Sequence, residues 1–274
     1  VKARVPSETE ASEQQLLRSA RGEGWTLHEG DCIAGLRALP DLSCDVCITD
    51  PPYEAEAHEN GKRQNPTSGA GHEENGKIYK RVVDDGIGFA AITEEQRLEA
   101  AKQIDRVCMR LALVFCQVEA VHLWRAAFET TDLVYRRTIP WVKPDAMPSL
   151  HGRWPGQAFE AVVLAIRSGE TAPIGGKARY YTTTRERGLT RSHATAKPLA
   201  LMRQIVEDFS NPNDLILDPF AGSGSTGVAA NRLGRRFLGW ELDANYFDIA
   251  CRRLRGDEAK PRVEQPAFNF GAPT

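Results

Sequence analysis

Asp50-Pro51-Pro52-Tyr53 is the tetrapeptide of this 274-residue sequence best equipped for a reaction. Its two prolines stiffen the backbone, so a carboxylate, a carbonyl and an aromatic face are held in fixed relation. That set suits an exocyclic amine on a flat base. The Asp50 carboxylate and the Pro51 carbonyl accept its two N–H bonds, and Tyr53 stacks on the ring. Taken in isolation, the same tetrapeptide also reads as an ordinary Pro-Pro loop stop.

A second constellation begins at Asp218 and runs through Phe220, Ala221, Gly222, Ser223, Gly224, Ser225 and Thr226. Glycines at such a turn let backbone pass close to a ligand where a Cβ would collide. Glu241 falls about twenty residues on, where a carboxylate accepts from both hydroxyls of a ribose. Gly222-Ser-Gly-Ser-Thr-Gly227 has the G-x-G-x-x-G spacing, but it follows Asp-Pro-Phe-Ala rather than leaving the strand directly. A cofactor with a ribose but no pyrophosphate fits better, and S-adenosylmethionine is one. The plainer alternative is a tight strand-to-helix turn with no ligand.

The elements that must carry these groups are legible. Trp25–Glu29 reads as a strand, and Asp31 caps a helix through Ile33, Leu36 and Leu39. Cys44–Thr49 is a short apolar run, hence a buried parallel strand stopped by the prolines. Thr93–Arg110 reads as a helix opened by a Thr93/Gln96 capping box, and Leu111–Cys116 as a strand. A helix over Glu119–Glu129, strands over Leu133–Val142 and Phe159–Arg167, and a Lys197–Phe209 helix entered by Pro198 follow. Leu215–Asp218, the glycine turn, a Ser223–Leu233 helix, an Arg236–Glu241 strand and an Asp243–Leu254 helix make a dinucleotide-type βαβ unit. Residues 1–24 read as a polar arm with a short helix around Glu13–Ala20. The tail from Gly256 reads as irregular. Residues 54–92 begin with a Gly/Asn/Glu-rich stretch that cannot build a core, so a long mobile loop is expected.

Composition narrows the class. Hydrophobic residues make up 41% and charged residues 26%, enough to bury a core. No run of about 18 apolar residues occurs, and Val1–Ser12 lacks the apolar centre of a signal peptide. A cytoplasmic protein is expected. Net charge is −2, yet residues 134–203 hold twelve Lys and Arg against four acids, a local +8. Such a stretch on an acidic chain is either a polyanion-binding face or a solvated basic surface. Cys32, Cys44, Cys47, Cys108, Cys116 and Cys251 sit mostly among apolar residues, without finger-like spacing, which argues against a metal site and for a reducing interior.

Together, Asp50-Pro-Pro-Tyr53 and Asp218-Pro-Phe-Ala-Gly-Ser-Gly224 resemble the beta class of S-adenosylmethionine-dependent DNA amino-methyltransferases. In that class the catalytic motif precedes the cofactor motif, a circular permutation of the common methyltransferase order. Gly30-Asp31-Cys32 resembles the family's Gly-Asp element. His193-x-Thr195-x-Lys197-Pro198 resembles its His-Pro-Thr-x-Lys-Pro element, with Ala194 in place of proline. Phe237–Glu241 with Tyr246 and Ala250 resembles the ribose-binding strand and helix, and Ile139–Lys143 through Met147-Pro148 the segment near the target base.

The resemblance implies one Rossmann-like α/β methyltransferase domain over 25–255, with a seven-stranded, mostly parallel sheet and helices on both faces. It implies S-adenosylmethionine as cofactor, no metal, and double-stranded DNA as partner. Asp50, Pro51, Pro52 and Tyr53 would be catalytic. Asp31, Cys32, Asp50, His193, Thr195, Lys197, Asp218, Phe220, Ala221, Gly222, Ser223, Gly224, Ser225, Thr226, Glu241 and Leu242 would hold the cofactor. Trp141, Lys143, Arg153, Arg185, Arg187 and Arg191 would meet DNA. The target-recognition region, 144–192, is short, so readout is shared with the 54–92 loop or a second subunit, which leaves a homodimer open. A duplex hides its amines, so the target base must flip out. Asp ahead of Pro-Pro-Tyr leans toward N6 of adenine within the family. N4 of cytosine and a non-catalytic DNA-binding subunit remain the alternatives.

Overall fold

Runs that are apolar on both faces make the centre of the sheet. The computed structural model describes residues 18–53, 72–74, 77–79, 91–146, 155–184 and 196–257. Its strands are β1 (Ser19–Gly22), β2 (Trp25–Glu29), β3 (Cys44–Thr49), β4 (His72–Glu74), β5 (Lys77–Tyr79), β6 (Cys108–Cys116), β7 (Leu133–Val142), β8 (Phe159–Arg167), β9 (Tyr181–Thr182), β10 (Leu215–Asp218) and β11 (Arg236–Glu241). The helices are α1 (Cys32–Ala38), α2 (Glu94–Val107), α3 (Val121–Phe128), α4 (Leu199–Phe209), α5 (Ser225–Arg232) and α6 (Ala244–Arg255).

Among the described residues nine strands form one sheet in the order β1-β2-β11-β10-β3-β6-β8-β7-β9. From β2 to β6 every neighbouring pair is parallel. β8 runs antiparallel to both β6 and β7. The seven-stranded, mostly parallel sheet expected from the resemblance is thus a nine-stranded mixed one. The additions are both edges: β1 folds back antiparallel on β2, and two-residue β9 pairs with the end of β7. β1 also replaces the last residues of the expected Glu13–Ala20 helix, because Gly24 at φ +75° turns the chain back along β2.

Alternation along the inner strands feeds two cores. Val46, Ile48, Leu111, Leu113, Phe115, Val162 and Leu164 pack under α4, α5 and α6. Cys44, Cys47, Ala112, Val114, Cys116, Ala161, Val163 and Ala165 pack under α1, α2 and α3. Each fully buried large apolar side chain contributes about 1.5–3 kcal/mol. The α1 cap is Asp31, accepting from Ile33 N at 2.8 Å, and α2 has the Thr93/Gln96 capping box. α2 stops at Val107 rather than Arg110, because Cys108–Arg110 already belong to β6. Within the expected 54–92 loop, β4 and β5 pair antiparallel as a short hairpin. No helix among the described residues is long and apolar enough to cross a membrane.

Candidate active site

The carboxyl ends of parallel strands are where an open α/β sheet places its ligands. β3 and β10 lie side by side there, so Asp50 follows directly on one strand and Asp218 ends the other. The two ends are stitched together: Thr49 Oγ1 donates to Asp218 Oδ1 at 2.7 Å, and Phe220 N donates to the same oxygen at 3.1 Å. Burial pushes the Asp218 carboxyl up to about 6 against these bonds and one from Thr226.

Beside it is a cradle of backbone. Gly222 (φ +53°) and Gly224 (φ +80°) take the left-handed conformation that glycine adopts without strain. A Cβ on Gly222 would meet nothing within 4 Å, so the turn faces open space, whereas one on Gly224 would lie 3.0 Å from the Ala250 Cβ. Glu241 is 7% exposed at the end of β11. Its carboxylate accepts from Gly222 N at 2.7 Å and Asp243 N at 2.8 Å. Burial raises its pKa, with those amides opposing. Each oxygen keeps a further lone pair, so the acid can still accept from a diol. Gly30 N donates to Glu241 O at 2.9 Å, bringing Asp31 and Cys32 to the same rim. Leu242 is 70% exposed, a bare apolar side chain at the mouth. Ala221, Ser223, Ser225 and Thr226 are buried beneath the turn.

The third part is a charged cluster on the other flank of Asp50. Lys197 Nζ donates to Asp50 Oδ2 and lies 3.4 Å from Glu160 Oε2, while Lys143 Nζ donates to Glu160 Oε1. The Lys197 ammonium sits 5.7 Å from the Tyr53 ring centroid and 5.1 Å from that of Phe115. Burial works against that charge, but Asp50, Tyr53 and Glu160 outweigh it and raise the Lys197 pKa. Burial likewise holds the Tyr53 hydroxyl in its protonated form. Burial raises the Asp50 pKa, opposed chiefly by Lys197. Asp50 Oδ1 is enclosed and, among the described residues, has no hydrogen-bond partner. An acceptor left bare in such a place is costly unless something donates to it.

The structure therefore gathers Asp31, Cys32, Asp50, Lys197, Asp218, the 220–226 turn and Glu241 at the strand ends. Trp141 and Lys143, expected at DNA, are drawn inward instead. Trp141 is 3% exposed and donates its indole N–H to Thr183 Oγ1 at 2.8 Å. Lys143 lies over the Trp141 ring at 4.9 Å and is committed to Glu160. The apolar-polar alternation of β7 buries one and the acid on β8 holds the other. His193, Thr195, Arg153, Arg185, Arg187 and Arg191 lie outside the described residues, as does most of 54–92. Among the described residues no group of three His, Cys, Asp or Glu is arranged to hold a metal ion.

The model of the N6/N4 DNA methylase family matches residues 44–252, which span this site apart from Asp31 and Cys32. The chain belongs to that family. This methylase is 25% identical over 260 residues to the type II methyltransferase M.HinfI of Haemophilus influenzae, covering 86% of this chain and 69% of that one. It is 27% identical over 291 residues to M.Cfr9I of Citrobacter freundii, covering 93% and 97%. Its fold matches the solved M1.HpyAVI–SAM complex with a TM-score of 0.61 at 25% identity, over 84% of this chain and 98% of that one. It also matches the cytosine-N4-specific PvuII methyltransferase with a TM-score of 0.63 at 14% identity, over 87% and 89%, a likeness of fold.

Four contributors were not singled out in the sequence: Thr49, Phe115, Glu160 and Arg253. Arg253 of α6 donates to Ser223 O at 2.7 Å and to the Ser223 and Ser225 hydroxyls at 2.8 and 3.1 Å, tying the glycine turn to the helix behind it. An arginine on the apolar stripe of α6, one residue before buried Leu254, was the available signal.

Proposed function

We propose that this methylase transfers a methyl group from S-adenosylmethionine to the N6 amine of adenine in duplex DNA, after the base has flipped into the pocket. The observation that carries the reading is Asp50 Oδ1, an enclosed acceptor with no donor among the described residues, set beside a glycine cradle with an acid for a ribose. S-adenosylmethionine fits that cradle: Gly222 leaves its space open, and Glu241 retains lone pairs for two hydroxyls. When bound, it supplies an electrophilic methyl on a sulfonium, whose carbon–sulfur bond breaks with the electron pair left on sulfur.

The chain's own residues do the rest by positioning. Asp50 Oδ1 and the Pro51 carbonyl accept the two amine hydrogens, which draws the nitrogen lone pair out of conjugation and aims it. The new nitrogen–carbon bond uses that pair, and the extra amine proton passes to Asp50 Oδ1 and from there to water. Tyr53 supplies the stacking face. We read the chain order, Asp50 before Asp218, as the permuted arrangement of the beta class. Residues 25–255 are taken as the catalytic domain. Arg153, Arg185, Arg187 and Arg191, with the 54–92 segment, are taken as the DNA-facing side, and a homodimer would complete readout across the short 144–192 region.

The test is transfer of tritiated methyl to mixed duplex DNA, followed by nucleoside digestion and chromatography. Label in N6-methyl-2′-deoxyadenosine supports the reading. Label in N4-methyl-2′-deoxycytidine overturns the choice of base, and cofactor binding with no label in either would make this a non-catalytic subunit.

A further inference from the structure

Glu160 stands on β8, the one strand of the inner sheet that runs against its neighbours, so the beginning of that strand reaches the rim where parallel strands end. It is 14% exposed and flanked by Lys143 at 16% and Lys197 at 10%. We propose that Glu160 is a positioning residue for methyl transfer: by fixing Lys197, it holds Asp50 through Oδ2 and leaves Oδ1 turned toward the amine. This rests on the methyl-transfer reading above and adds a group to it.

The geometry carries the argument. Lys197 donates to Asp50 Oδ2 and forms an ion pair at 3.4 Å with Glu160 Oε2, an enclosed oxygen that has no hydrogen bond among the described residues. A lysine side chain on its own is a flexible tether, and a carboxylate held by one would swing. Glu160 supplies the second anchor and is itself anchored by Lys143 through its other oxygen. Its place is set by sheet register, since Glu160 pairs with Trp141 across β8 and β7 and Lys143 N donates to Ala158 O at 2.7 Å. The groups facing Asp50 are thus Lys197, Glu160, Lys143, Tyr53 and Asp218. Two cations and two carboxylates make Asp50, Lys197, Glu160 and Lys143 a neutral cluster. Burying such a set brings little net stability compared with apolar residues of the same volume. Lys197 keeps its proton, so it works as a fixed cation rather than a proton carrier.

The experiment compares wild type with Glu160→Gln, Glu160→Asp and Lys143→Gln. Wild-type methylation of duplex DNA is measured first; if it fails, the reading beneath this inference falls, whatever the variants do. With wild type active, Glu160→Gln should lower kcat roughly 10- to 100-fold through misplacement of Asp50. Binding of S-adenosylhomocysteine, which has no sulfonium charge to feel the lost anion, should stay unchanged. The Glu160 charge pushes the Asp50 pKa up, so its removal should move the acid limb of the pH–rate profile to lower pH. Glu160→Asp should recover part of the turnover. Lys143→Gln, which spares the Lys197–Glu160 contact, should lose less, and it keeps the test open should Glu160→Gln fold poorly. A Glu160→Gln enzyme with wild-type kcat and an unmoved acid limb overturns the proposal, as does Lys143→Gln losing as much as Glu160→Gln.

Discussion

Asp218 should make the protein less stable as pH rises through 6, and replacing it with asparagine should remove that dependence. The side chain is 2% exposed, and burial pushes its pKa from 3.8 up to about 6. With the folded value above the unfolded one, the native state holds this proton more tightly. The stability it contributes is fully present below about pH 3.8 and is lost as pH climbs through about 6. A shift of roughly two units at about 1.36 kcal/mol each puts the loss near 3 kcal/mol. Asparagine keeps an oxygen for Thr49 and for Phe220, the two donors seen on Oδ1, and carries no charge. Asp218→Asn should therefore lie close to wild type at about pH 4 and be more stable by about 3 kcal/mol at about pH 8. Urea unfolding of both proteins at the two pH values, without cofactor, gives this double difference directly. A stability difference that is the same at both pH values would show that Asp218 is ionised in the fold at no cost, and the reasoning would be wrong.

Asp50→Ala should abolish methyl transfer while weakening S-adenosylmethionine binding far less, which calorimetry and the tritium assay separate; near-normal turnover would end the role given to that carboxylate. Glu241→Ala should weaken the cofactor by about 1.5–3 kcal/mol, or roughly 10- to 150-fold, and unchanged affinity by calorimetry would mean that the ribose is held elsewhere. Gly224→Ala should destabilise the fold by about 1–2 kcal/mol for the left-handed backbone alone, with the 3.0 Å approach to Ala250 adding to it; a wild-type urea midpoint would count against the strain argument.

Where the sequence was readable, a local pattern decided the structure. Leu133–Val142, Phe159–Arg167, Leu215–Asp218 and Arg236–Glu241 are apolar or alternating runs bounded by turn residues, and each is a strand with those bounds. The strands that lead to Asp50 and Asp218 are neighbours. The glycine turn and Glu241 were legible because one short βαβ unit carries both. β1 was hidden because Ser-Ala-Arg-Gly has neither alternation nor β-branched residues, and it is a strand only by pairing with β2. Cys108–Arg110 looked like more of α2 because nothing local marks the change from helix to strand. Glu160 was hidden for a different reason. At the start of an apolar strand an acid reads as a solvent-facing end, and its meaning comes from Lys143 and Lys197, which tertiary packing alone brings to it.

The order of strands across the sheet has a consequence for how the chain is made. β2 and β3 emerge early, yet they never touch: β11 and β10, which emerge last, are wedged between them. Synthesis delivers about 5–20 residues per second, so for most of that time the β2 edge and one edge of β3 wait without their partners. Those edges carry Trp25, Leu27, Val46 and Ile48, all destined for the same core. Unpaired apolar edges are templates for association with other chains. Pairings this distant along the chain must also meet their closure entropy before any contact repays it. The C-terminal βαβ unit therefore acts as a keystone. A nascent chain that stops short of Leu215 lacks both the cradle and the strands that join the two halves, and it exposes the surfaces most prone to aggregate.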